Sequence, residues 1–207
     1  SGFSRLTPVV KNLIIVNIIC FLISSFGEYM HWYDVTNEFG LHYPLSPSFR
    51  PVQLITYMFL HANLEHIFFN MFALWMFGNV LENVWGPKRF LTFYMVTGIG
   101  AGIIQELVWL YSVQSFASSN GVSLIQLIAM DQSLNYLVTV GASGSVFGIL
   151  LAFAMLFPNV PLYLMFIPVP IKAKYFVVFY GLAELFMGVA NYSGDSVAHF
   201  AHLGGML

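Results

Sequence analysis

Three short polar motifs interrupt a strongly apolar sequence: HANLEHIFFN at 61–70, GASGSVFG at 141–148 and AHFAHLGG at 198–205. Together they contain two serines among glycines, four histidines and two asparagines. These side chains can act as nucleophile, as proton acceptor and as hydrogen-bond donor to a developing negative charge. The motifs therefore predict a site for acyl-transfer chemistry.

Ser143 is the candidate nucleophile. The neighbouring Gly141 and Gly144 would let a substrate backbone come close to its hydroxyl, as in other serine hydrolases. The alternative is helix packing, because Gly144-x-x-x-Gly148 is also a small-residue packing face. A serine in such a face usually bonds only within its own helix.

The third motif supplies a candidate base. His199 and His202 are three residues apart and lie on neighbouring faces of one helix. An ionisable residue in a membrane segment suggests a function, here removal of the serine proton and its delivery to a leaving amine. No acidic residue is evident near these motifs, since Asp195 lies seven residues before His202. We therefore predict a Ser–His dyad and not a triad.

The first motif supplies candidate donors for an oxyanion. His66 and Asn70 are four residues apart and share one helix face. Their ring N–H and amide NH2 could form an oxyanion hole together with the backbone N–H of Ser143. His61 is expected to order the entry of the loop and to take no part in chemistry.

A metal site is the alternative of another class. Four imidazoles would be available as ligands: His61, His66, His199 and His202. The H-E-x-x-H pattern is missing, because no histidine follows Glu65 at the required spacing. We therefore expect no metal and no other cofactor.

The composition is that of a membrane protein. Of the 207 residues, 58% are hydrophobic and 8% are charged, and the mean hydropathy is +0.78. The net charge of -2 includes no basic patch, which excludes a nucleic acid as partner. The single cysteine, Cys20, excludes an internal disulfide.

Apolar windows predict six helices, at 9–26, 66–84, 90–112, 143–157, 175–190 and from 196 onward. We predict an all-α polytopic membrane protein with six transmembrane helices around a short central helix that carries Ser143. Residues 1–207 are expected to form a single domain. The last apolar segment is too short to cross a bilayer, so the last helix is expected to be truncated.

The distribution of charge predicts the orientation. All basic residues except Arg50 lie in the N-terminal segment and in two connections: Arg5, Lys11, Lys88, Arg89, Lys172 and Lys174. The positive-inside rule makes these segments cytoplasmic, so the N-terminus is cytoplasmic and the polar motifs open to the external side.

Two glutamates lie inside predicted spans. Glu82, close to Lys88 and Arg89, is expected to be structural, either capping a helix or forming a charged pair. Glu184 is expected to face a cavity or to pair with another helix, and the sequence names no partner for it.

The chain resembles the rhomboid family of intramembrane serine proteases, specifically the six-span bacterial type. The resemblance covers essentially the whole chain, through TYMFLHANLEHIFFNMFALWMFG, LENVWGPKRFLTFYMVTG, GASGSVFG and AHFAHLGGML. It implies Ser143 as nucleophile and His66 and Asn70 as the oxyanion hole. It implies His202 as base, because Gly205 follows it at the spacing of the family's A-H-x-x-G.

The same resemblance implies supporting roles for His199, Gly141, Gly144 and Gly205, and for Phe147, which stands where relatives have a tyrosine packed on the catalytic ring. The family's tryptophan-containing pair in the first loop falls on Val52 and Gln53, so that tryptophan is missing.

The implied reaction is hydrolysis of peptide bonds in or near transmembrane segments of other membrane proteins. The implied setting is the lipid bilayer of a bacterial inner membrane, with substrate entry past the fifth span and residues 191–195 as a lid.

Two other classes of function stay open: a catalytically inactive rhomboid-like protein that binds membrane clients, and a transporter or channel with a histidine-lined pore.

Overall fold

The computed structural model describes residues 6–130, 134, 136–163, 169–190 and 198–207. The helices there are α1 Pro8–Tyr29, α2 Val35–Phe39, α3 Gln53–Thr56, α4 Leu64–Ala73, α5 Asn79–Trp85, α6 Pro87–Ser119, α7 Leu124–Met130, α8 Ser143–Leu156, α9 Ala173–Ala190 and α10 His199–Gly205. The strands there have two residues each: β1 Leu41–His42, β2 Val138–Thr139, β3 Pro161–Leu162 and β4 Ile171–Lys172. The prediction of an all-α membrane protein is confirmed.

Three helical segments in the described ranges are long and apolar enough to cross a membrane. They are α1, the continuous segment 64–85 and α6, whereas α8 is apolar but shorter. A π-helical turn, Leu74–Gly78, joins α4 to α5. Helix α6 runs seven residues past its predicted end at 112, because no proline or glycine lies between that residue and Gly121, where φ is +68°.

The start of α1 is capped by side chains of α5. Glu82 is 3% exposed, and its two oxygens accept hydrogen bonds from the backbone N–H groups of Val9 and Val10, at 3.0 and 2.9 Å. The Asn79 side chain accepts from both the N–H and the hydroxyl of Thr7. These bonds satisfy N–H groups that the first turn of a helix leaves without partners. Glu82 is thus structural through capping.

Helix α8 lies at the centre of the bundle, packed on α6, α9 and α10. Ten of its fourteen residues are buried. Small residues allow the close approach: a Cβ added to Gly144 would collide with Ala101, and one added to Gly205 would collide with the carbonyl oxygen of Gly144. The backbones of α8 and α10 are therefore in direct contact.

The loop before α8 is tied to the first loop of the chain. Strands β1 and β2 pair antiparallel, with Leu41 opposite Thr139, and the N–H of Gly141 donates to the carbonyl of Tyr57. The buried Gln53 orders this first loop, since its amide donates to the carbonyls of Glu38 and Ser48 and its oxygen accepts from Arg50. These bonds fix the backbone that leads into Ser143.

Candidate active site

Ser143 is the first residue of α8, after the N-cap residue Ala142. Its backbone N–H has no acceptor within the helix, as is general for the first turn, and the positive end of the helix dipole lies there. The other serine of the motif, Ser145, is 1% exposed and donates to the carbonyl of Tyr94 at 2.6 Å. Ser145 therefore ties α8 to α6, and Ser143 keeps its half-buried position at the helix start.

Gly141 lets His66 and Ser143 approach one another. Its φ is +139°, a conformation that other residues rarely adopt. A Cβ at this position would lie 2.8 Å from Nε2 of His66 and 3.4 Å from Oγ of Ser143. The imidazole and the hydroxyl thus flank the same point, and a side chain there would come between them.

The beginning of α4 positions His66 and Asn70. The Asn63 side chain caps the helix by accepting from the N–H of His66 at 2.8 Å. Asn70 is 6% exposed and donates one amide hydrogen to the carbonyl of His66. An amide NH2 has two hydrogens, so a second remains for another acceptor.

His61 lies just before α4 and packs edge-on against His66, with ring centroids 5.0 Å apart. It is 4% exposed. Burial, reinforced by the neighbouring His66, lowers the pKa of His61 to about 3. His61 is consequently neutral at physiological pH.

His202 of α10 stacks on Phe147 of α8, with ring centroids 4.5 Å apart and planes inclined by 9°. Phe147 is one helical turn after Ser143 and shares its helix face. The stacking therefore holds the His202 ring beside the face of α8 that carries Ser143. Tyr180 of α9 packs on Phe147 as well, at 4.9 Å.

A carboxylate lies directly beside both histidines of α10. One oxygen of Glu184 is 3.0 Å from Nδ1 of His202 and 2.6 Å from Nδ1 of His199, and the Glu184 side chain is 4% exposed. The expectation that no acidic residue lies near the motifs is wrong. The contact was missed because α9 carries Glu184 fifteen residues or more before the histidines. The one available signal was an ionisable residue inside an apolar span.

The histidines pair differently from a four-imidazole metal site. His61 packs on His66, whereas His199 and His202 share Glu184. Glu184, His199 and His202 bring ligand-type atoms within 4.8 Å of one another. Both Nδ1 atoms are already engaged with the carboxylate, so a metal would have to displace these hydrogen bonds. The predicted lid, 191–195, lies outside the described residues.

Fold and site together define a class: an all-α membrane protein with a serine at the start of a buried central helix and histidines around it. A family model described as the Rhomboid domain matches residues 48–207. The chain belongs to the rhomboid family, whose members are in general intramembrane serine proteases.

Curated relatives agree with this membership. The chain is 28% identical to RHOMBOID-like protein 12, mitochondrial, of Arabidopsis thaliana, over 89% of this chain and 53% of that protein. It is 31% identical to Rhomboid protein 1, mitochondrial, of Saccharomyces cerevisiae, over 75% of this chain and 39% of that protein. It is 29% identical to Rhomboid protease AarA of Providencia stuartii, over 60% of this chain and 36% of that protein. The chain thus spans about half or less of the length of these relatives.

Proposed function

We propose that this chain is an intramembrane serine endopeptidase in which Ser143 is the nucleophile and His202 is the general base. The main support is the stacking of His202 on Phe147, one turn beyond Ser143 on the same helix. His66 approaches the same serine from another helix across Gly141. One imidazole can thus serve as the base and the other as an oxyanion donor, the two roles that acyl transfer by a serine needs.

In the first step, Nε2 of His202 takes the hydroxyl proton of Ser143 while Oγ attacks the carbonyl carbon of the scissile peptide. The carbonyl becomes a tetrahedral oxyanion. His202 then gives its proton to the leaving amine, and an acyl-enzyme remains on Ser143. Water, deprotonated by the same histidine, attacks the ester, and the acid product leaves with the serine regenerated.

The oxyanion needs donors that are in place before the reaction. Asn70 has an amide hydrogen beyond the one that its own helix uses, His66 can supply a ring N–H, and Ser143 supplies its backbone N–H. The dipole of α8 adds a favourable field for negative charge at the same place.

The substrates that fit are transmembrane segments of other membrane proteins, bound from the lipid bilayer. A helical segment hides its carbonyl groups in hydrogen bonds and must be locally extended before a nucleophile reaches it. The orientation that fits the charge distribution has a cytoplasmic N-terminus and a site open to the external side, in a bacterial inner membrane. No metal or other cofactor is required by this chemistry.

Labelling by a fluorophosphonate probe tests the proposal on the purified, detergent-solubilised chain. Ser143→Ala and His202→Ala are expected to abolish labelling, and cleavage of a transmembrane substrate should be lost with it. His199→Ala is expected to keep labelling detectable. Ser145→Ala is the matched control: it removes a buried serine two residues away and should keep labelling, since that hydroxyl bonds to Tyr94.

Two results would overturn the proposal. One is a folded parent chain that neither reacts with the probe nor cleaves, which favours a client-binding protein. The other is labelling that survives in Ser143→Ala. Loss of labelling in His199→Ala with full labelling in His202→Ala would move the base to His199. Retention of cleavage in EDTA is expected, and a loss restored by zinc would instead favour metal chemistry.

A further inference from the structure

We propose that Glu184 is a positioning residue for the reaction: it holds His202 in the tautomer and orientation that Ser143 needs. The inference rests on the proposed function and replaces the predicted dyad with a serine, histidine and glutamate that act together. The observation behind it is the short contact between the Glu184 carboxylate and Nδ1 of His202, at 3.0 Å in a buried setting.

The contact fixes which ring nitrogen carries the proton. A carboxylate only accepts hydrogen bonds, so Nδ1 of His202 must be the donor. A neutral ring protonated on Nδ1 has its lone pair on Nε2, at the opposite side of the imidazole. Nε2 is the atom that must accept the serine proton. The carboxylate also stabilises the imidazolium that forms when that proton arrives.

The ring is restrained in two directions. Phe147 packs flat against one face of His202, which limits tilting. The bond to Glu184 acts on the edge of the ring and limits rotation about the bond that joins the ring to Cβ. Stacking alone would allow a ring flip that exchanges the position of Nδ1 with Cδ2 and that of Nε2 with Cε1, and the bond to the carboxylate opposes this flip.

His199 holds the carboxylate in place. Its Nδ1 donates to the same Glu184 oxygen at 2.6 Å, and its side chain is 8% exposed. A charged carboxylate buried among apolar residues would be costly without such donors. One oxygen accepting from two imidazoles thus links α9 to both histidines of α10. In this arrangement His199 orients Glu184, and Glu184 orients His202.

Glu184→Gln tests the inference. A glutamine has the same shape, but its NH2 group cannot accept the Nδ1 proton, so the Nε2–H tautomer of His202 becomes competitive. We expect kcat to fall about 100-fold or more, within the range of general-base effects. The rate constant for fluorophosphonate labelling should fall by the same factor, while KM stays within about threefold because no substrate contact is lost. Glu184→Asp, which keeps the charge at a shorter reach, should recover part of the loss.

Glu106→Gln is the matched control. Glu106 is another buried carboxylate of a long apolar helix, 8% exposed, and belongs to α6, where it has no role in the proposed mechanism. Its replacement should leave kcat and the labelling rate within about threefold of the parent. A folded Glu184→Gln variant that also stays within about threefold would overturn the inference.

A second measurement does not depend on any Glu184 variant being folded. Nitrogen-15 NMR of histidine-labelled protein reports which nitrogen of each ring is protonated, and the chain has only six histidines. Subtracting the spectrum of His202→Gln assigns the signal. We expect Nδ1–H on His202 in the parent, and Nε2–H there would overturn the inference. If Ser143→Ala still cleaves, the proposed function fails, whatever tautomer His202 has.

Discussion

Two buried glutamates, each 3% exposed, have quite different partners. Glu82 accepts hydrogen bonds from two backbone N–H groups at the start of α1. Glu184 accepts from two imidazoles of α10. The first lies near the end of the 64–85 segment, sixteen residues or about 24 Å along the helix from His66. The second lies beside His202, the proposed general base.

The difference illustrates how one residue type can serve structure at Glu82 and, under the proposed function, chemistry at Glu184. Backbone N–H groups cannot change their protonation, so the bonds of Glu82 are permanent and contribute to stability alone. Imidazoles can gain and lose protons, so the bonds of Glu184 would change in strength during the proposed proton transfer. Variants that separate stability from activity therefore test the comparison.

The largest effect is expected for Gly205→Ala in α10, which should lower both kcat and stability. The added Cβ would collide with the carbonyl oxygen of Gly144, and neither backbone can give way unless α10 moves. Displacing His202 by about 1 Å should lower kcat about 100-fold. The accompanying overpacking should cost about 1–3 kcal/mol in thermal unfolding.

Gly181→Ala in α9 is the control for that variant. A Cβ there would meet only the flexible side chain of Met206, at 3.6 Å. It should leave kcat unchanged and should not lower stability, because alanine favours a helix over glycine. Equal losses in both variants would mean that any added methyl group disturbs this bundle.

Glu82→Gln should lower stability without lowering activity, and it therefore separates the two properties most cleanly. It replaces one accepting oxygen by a donor facing an N–H group, so we expect a loss of about 1.5–3 kcal/mol in the free energy of unfolding in detergent. The labelling rate per folded molecule should stay within twofold. Glu28→Gln, at an exposed position of α1, should change neither quantity. An activity loss larger than the stability loss explains would contradict a purely structural Glu82.

Phe147→Leu tests the stacking on His202 without touching Glu184. We expect about tenfold lower kcat with an unchanged KM, because the ring gains freedom to tilt, and a stability loss of about 0.5–1.5 kcal/mol. The control is Phe153→Leu in the same helix, which loses an edge-on contact with Phe77 instead. It should lose similar stability and keep kcat. Parallel losses of kcat in both would assign the effect to α8 packing.

The last prediction concerns stability alone, and it is a pH dependence caused by His61. Its pKa is about 3 in the folded chain and about 6.5 when unfolded, so the unfolded state binds the proton preferentially between these values. Stability should therefore fall as pH drops below about 6.5, by up to about 1.4 kcal/mol per pH unit. Thermal unfolding of parent and His61→Gln between pH 7 and 5 measures it.

The helices were predictable from the sequence because lipid demands long apolar segments, and these are visible in composition. The ends of the helices were harder to predict. Helix α4 begins at Leu64, two residues before its predicted start, because the Asn63 side chain caps it. The first apolar residues of a helix are a poorer guide to its start than the capping residue.

The site was predictable to the extent that it is local in sequence. His66 and Asn70 follow from helix spacing, and Ser143 follows from its glycines. Glu184 could not be located, because its partners lie on another helix and no periodicity reports which faces meet. The same limit applies to Gln53, whose bonds to Glu38 and Ser48 depend on the path of an irregular loop.

The π-helical turn at Leu74–Gly78 sets the phase between the two ends of the 64–85 segment. Such a turn accommodates an extra residue within a helix. Because each residue of an α-helix turns the chain by about 100°, the same residues wound as a regular α-helix would rotate α5 by roughly that angle relative to His66. Glu82 would then leave the start of α1 while the His66 end kept its place. This turn thus allows Glu82 to face the start of α1 and His66 to face Gly141 within one continuous helix.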